Sequence, residues 1–76
     1  MKIVTLYTKL GCHLCEVVEG TLAEVGKRRR FELVRRDISE SADDYEKYKH
    51  DVPVVLVDGV EIARHRMTAE QLIKSL

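Results

Sequence analysis

Apolar and polar positions along this chain change period several times, and each change marks the edge of an element. Lys2–Tyr7 is rich in β-branched residues and reads as a strand, ended by Thr8-Lys9-Leu10-Gly11. From Leu14 the period lengthens: Leu14, Val17, Val18, Thr21, Leu22 and Val25 recur with the spacing of one helical face. Gly26 and the run Lys27-Arg28-Arg29-Arg30 suit the end of that helix, where cations meet the negative pole of the backbone dipole. Alternation returns over Phe31–Arg36, a second strand. Ser41, with Asp44 three residues on, then caps a short helix whose expected buried face is Ala42, Tyr45 and Tyr48.

The continuous apolar run Val54–Val57 has the character of a central strand covered on both faces. Asp58-Gly59 supplies a type I′ hairpin signal into Val60–Ala63. Thr68 and Gln71 have capping-box spacing and open a last helix with Ala69, Leu72, Ile73 and Leu76 on one face. The order β-α-β-α-β-β-α makes this an α/β chain. A crossover joins the first two strands in parallel, the hairpin makes the last two antiparallel, and a four-stranded mixed sheet flanked by helices results. With no repeat, low-complexity tract or linker, residues 1–76 are expected to form one domain.

Composition narrows the class. Hydrophobic residues make up 45% of the 76 positions and charged residues 34%, the balance of a globular domain rather than a disordered one. A chain this short buries only about 60% of its unfolded surface, so its core is thin. Thirteen basic residues meet 13 acidic ones, which calls for no polyanionic partner. The basic residues Lys27–Arg30, Arg35 and Arg36 lack interleaved stacking aromatics and have Asp37, Glu40, Asp43 and Asp44 nearby, so no nucleic acid is expected. The first apolar stretch is broken by Thr5, Thr8 and Lys9. It is shorter than a secretory core of about 7–15 apolar residues or a membrane span of about 20. The expected setting is the cytoplasm, without membrane attachment and as a monomer, where thiols are kept reduced.

Both cysteines fall in one motif, Cys12-His13-Leu14-Cys15, between the first strand and the first helix. Cys12 is expected at or beside the helix N-cap, where free backbone N–H groups and the positive helix pole stabilise a thiolate. Cysteines so placed titrate at about 3.5–7.5 rather than about 8.5. Cys15 lies one turn further in and more covered. Cys12 is therefore the expected nucleophile and Cys15 the resolving thiol. Lys9 and His13 lie near enough in sequence to strengthen the field at Cys12, with the alternative that His13 is simply an exposed first-turn residue. A Cys-x-x-Cys within a βαβ pattern is a redox signature, stronger than the same spacing alone.

The segment Tyr7-Thr8-Lys9-Leu10-Gly11-Cys12-His13-Leu14-Cys15, followed downstream by Val52-Pro53-Val54-Val55-Leu56-Val57-Asp58-Gly59, resembles the glutaredoxin branch of the thioredoxin superfamily. It is most similar to the short glutaredoxin-like proteins and small redoxins, over nearly the whole chain. The resemblance implies the thioredoxin fold and a thiol–disulfide oxidoreductase acting on protein or mixed disulfides. No cofactor is implied as bound, with glutathione a candidate co-substrate and glutathione or a thioredoxin-reductase-type system the electron donor. It further implies a cis peptide before Pro53, a substrate-facing backbone at Val52, and a lysine, Lys9, that binds glutathione or steadies the thiolate.

The likeness has gaps. His13-Leu14 stands where glutaredoxins usually carry proline and tyrosine. Ala63-Arg64-His65-Arg66-Met67 stands where they carry Gly-Gly and acidic residues that hold glutathione. Arg64 in this basic stretch is expected at the substrate, favouring acidic partner segments or an altered glutathione pose. Two other classes stay open: a metal or iron–sulfur carrier using the same cysteines, and a redoxin-fold module whose thiols do not turn over. A Cys₂His₂ set of Cys12, Cys15, His50 and His65 lacks the histidine spacing of a finger.

Overall fold

The computed structural model describes all 76 residues. Strands β1 (Ile3–Thr8), β2 (Glu32–Asp37), β3 (Val54–Val57) and β4 (Val60–Arg64) form one sheet in the order β2-β1-β3-β4. β1 runs parallel to β2 and antiparallel to β3, and β3 is antiparallel to β4. Helices α1 (His13–Gly26), α2 (Ala42–Tyr48) and α3 (Ala69–Ser75) complete the fold, with a 3-10 turn at Ile38–Glu40. The element order is the one the hydrophobic pattern implies, with β1, β2 and β4 each shifted or extended by one residue.

Period-2 alternation sorts the central strands onto two faces. Val4 and Leu6 of β1 lie opposite Val57 and Val55 of β3. Together with Val18, Leu22 and Val25 of α1 and Leu72 of α3, they form the main core, to which Ala63 and Met67 contribute. Tyr7, Val54 and Leu56 face the other way. There they meet a smaller cluster of Cys15, Ile38, Tyr48 and Val52, with Cys12 packed on its edge. The Tyr7 and Tyr48 rings stack at 4.5 Å between centroids.

The hairpin follows its turn chemistry. Asp58 and Gly59 both have positive φ, 49° and 83°, as a type I′ turn requires. The Asp58 carboxylate accepts the Ile3 N–H at 2.8 Å, while the Asp58 N–H donates to the Ile3 carbonyl at 2.8 Å. The β3–β4 register shifts between Val55 and Leu56, leaving Ile62 as an extra residue. That bulge places Glu61 opposite Leu56 and Arg64 opposite Val54, so both point to the same side despite being three apart.

Several expected core positions are different. Val17 is 53% exposed, because the buried stripe of α1 runs through Cys15, Val18, Leu22 and Val25 and leaves it on the flank. In α2, Ala42 and Tyr45 are exposed and only Tyr48 is buried; a seven-residue helix shows the core about one turn of side chain. Ala69 of α3 is exposed as well. Their places are taken by Ile38 from the 3-10 turn and Met67 from the loop before α3. No helix is long and apolar enough to cross a membrane.

Candidate active site

Gly11 enters the motif at φ 78°, a backbone conformation that favours glycine, and turns the chain from the β1 loop into α1. Cys12 then occupies the N-cap in extended conformation, and its Sγ accepts the Cys15 N–H at 3.1 Å. This is one of the free donors at the helix start, supplied to sulfur in place of the usual hydroxyl or carboxylate. Cys12 and Cys15 are joined as a disulfide, with Cα atoms 5.2 Å apart. Cys12 is half-buried, whereas Cys15 is 2% exposed. Of the two sulfurs, the one at the cap is the one a partner can reach.

The Val52-Pro53 peptide is cis, and both residues are buried in the segment entering β3. Val52 shares the smaller cluster with Cys15, and Cys12 packs against that cluster, so motif and proline loop meet. The Val52 N–H and C=O make no hydrogen bond within the chain, although their neighbours do: Asp51 N–H donates to Tyr48 O at 2.8 Å and Pro53 O accepts from His65 N–H at 2.7 Å.

The charged residues expected around the thiol are distributed differently. The Lys9 ammonium donates to the Lys49 carbonyl at 3.4 Å, past the end of α2, and makes no bond to either sulfur. His13 is largely exposed, with Nδ1 3.9 Å from Glu16. Arg64, expected to meet substrate, is committed elsewhere: it donates to both Glu61 carboxylate oxygens, at 2.9 and 3.0 Å, and lies 3.2 Å from Asp51. The hydrogen bond holds the Glu61 carboxyl below its ordinary range and the Arg64 guanidinium above its own. The basic stretch is thus partly neutralised, and Arg66 is its guanidinium without a carboxylate partner.

Arg66, His65, His13 and Gln71 edge a groove of about 440 Å³ between the start of α1 and the loop before α3, with Leu14, Val17 and Met67 as apolar lining. Val17, on the helical face by period, lines this groove with its exposed side chain. His50 is exposed and His65 bonds Asp51, and no set of three or more His, Cys, Asp or Glu side chains comes together to hold a metal.

Parallel and antiparallel strands in this order, with a Cys-x-x-Cys at a helix start and a cis-proline beside it, define a thioredoxin-fold protein with a dithiol site. The chain belongs to the glutaredoxin-like family: the family's Glutaredoxin-like domain (DUF836) matches residues 3–76. It is 29% identical over 79 residues to a glutaredoxin-like protein homologue of Dictyostelium discoideum, covering 96% of this chain and 73% of that protein. Among solved structures, a structural-genomics target protein from X. campestris is 30% identical with a TM-score of 0.71, over 91% of this chain and 88% of that one. Mitochondrial thioredoxin 3 of Saccharomyces cerevisiae in its oxidized form shares the fold at 23% identity and TM-score 0.65, over 99% of this chain and 78% of that one.

Proposed function

We propose that the protein is a dithiol–disulfide oxidoreductase that reduces protein or mixed disulfides through Cys12 and Cys15. The observation that carries this reading is the asymmetry of the pair: Cys12 Sγ at the N-cap, accepting a helix N–H and reachable, with Cys15 covered but within disulfide reach. Family membership supports it.

In the reduced protein the Cys12 thiolate attacks one sulfur of a substrate disulfide. A Cys12–substrate disulfide forms, and the other substrate sulfur leaves as a thiolate that takes up a proton. Cys15, deprotonated, then attacks Cys12 Sγ and releases the second substrate thiol, leaving Cys12–Cys15 oxidised. Two electrons have passed to the substrate. Two more, from glutathione or a thioredoxin-reductase-type donor, restore the dithiol. The free N–H and C=O of Val52 fit the role of pairing with an extended substrate backbone, with Pro53 fixing their direction. Arg64 acts through Asp51 rather than on substrate.

Reduction of a glutathione-mixed disulfide of a short cysteine peptide tests the reading. Cys12→Ser abolishes turnover, whereas Cys15→Ser accumulates a covalent Cys12–peptide species visible by mass spectrometry. Equal activity in the native protein and Cys12→Ser would end it. Recycling with glutathione and, separately, with thioredoxin reductase identifies the donor.

A further inference from the structure

Val52 is bracketed by ties to a single residue, His65. On one side, the Asp51 carboxylate bonds the His65 imidazole at 3.1 Å and the Arg64 guanidinium at 3.2 Å. On the other, the Pro53 carbonyl accepts the His65 N–H at 2.7 Å. Between these ties lie the N–H and C=O of Val52, unbonded. His65 itself holds φ 71°, a left-handed backbone that is uncommon outside glycine. That corner suits glycine far better, so conformation alone does not account for histidine here. Its imidazole, reaching back to Asp51, does.

We propose that His65 and Asp51 form a clasp that positions the Val52–Pro53 segment, so that the Val52 backbone is presented to peptide substrates beside Cys12. Arg64 completes the clasp: the β4 bulge turns it to the side of Glu61, whose two oxygens aim the guanidinium at Asp51. His65 and Asp51 are positioning residues, and neither enters the thiol chemistry. The clasp rests on the oxidoreductase reading for its use, and its existence can be measured without it.

The test uses His65→Gly, Asp51→Ala and the double variant. Glycine relieves the backbone at φ 71°, so His65→Gly removes the clasp without burdening the fold. Two substrates are compared: the glutathione-mixed peptide disulfide, which has a backbone to pair, and hydroxyethyl disulfide, which has none. Either single variant should raise KM for the peptide about threefold to tenfold. KM for hydroxyethyl disulfide and the alkylation rate of Cys12 should stay unchanged. The double variant should be no worse than Asp51→Ala, because that variant alone already removes the His65 link together with the Arg64 contact. Unchanged peptide KM, an equal loss with both substrates, or fully additive effects would overturn the proposal. Should the native protein reduce neither disulfide, the oxidoreductase reading fails, and amide exchange then judges the clasp. His65 N–H should exchange faster in Asp51→Ala than in the native protein, and an equal rate would refute it.

Discussion

At the scale of single residues, Cys12 has two tasks, and they can be separated. Its sulfur is the reachable thiol, and it also caps α1 by accepting the Cys15 N–H. A serine at this position keeps an acceptor for the cap and loses the chemistry, whereas alanine loses both. In reduced protein, Cys12→Ala should therefore be less stable than Cys12→Ser by about 1 kcal/mol, the usual worth of an N-cap. Urea unfolding of the two variants checks it, and equal midpoints would mean that a side-chain acceptor at this position contributes no cap. Cys12 and Cys15 were legible in the sequence because a motif spacing survives translation into any local frame. Ile38 and Met67 were not. Each is a lone apolar residue in a turn or loop, buried by what folds over it, and a periodicity argument has nothing to count there. Asp51 and His65 were hidden for a related reason: fourteen residues apart, they are brought together only by the β3–β4 hairpin and the corner after it.

Elements, by contrast, announced their beginnings better than their buried faces. Thr68 accepts the Gln71 N–H at 3.1 Å and Gln71 Oε1 accepts the Thr68 N–H at 2.8 Å, so the capping box written in the sequence is made. Thr68→Ala should cost about 1 kcal/mol in urea unfolding, and because α3 carries Leu72 into the main core, the loss should appear in the global midpoint. A second terminus was not read: Asp37 caps the 3-10 turn, accepting the Ser39 N–H at 2.9 Å and its hydroxyl at 2.7 Å. These bonds, the backbone one foremost, hold the Asp37 carboxyl below its ordinary value. A carboxyl depressed in the folded state contributes stability above its unfolded pKa, about 3.9, and loses it as pH falls through the lower folded value. Asp37→Asn should thus narrow its stability deficit as pH is lowered from 5 towards 2. A deficit independent of pH would place the effect outside the carboxylate. Buried faces were harder because short helices show so little of themselves to the core. The α2 pattern of Ala42, Tyr45 and Tyr48 is a sound helical stripe, but only Tyr48 reaches Tyr7.

Taken as a whole molecule, the protein divides its cohesion unequally. The main core joins β1, β3, β4, α1 and α3, while the smaller cluster ties Ile38, Tyr48 and Val52 to the cysteines. β2 has no buried residue and α2 only one. A 76-residue chain is expected to have about 4–11 kcal/mol of stability in total, and local openings should fall well short of that where little apolar surface is held. Hydrogen exchange should therefore find its slowest amides in the β1–β3 ladder and faster ones in α2. Val18→Ala, which removes two buried methyl groups from a residue 1% exposed, should lower the slowest set by roughly 2 kcal/mol through transfer and cavity terms together. The α2 amides should keep their native rates, because they open without the main core. An equal shift in both would show one cooperative unit, with α2 opening only when the main core does.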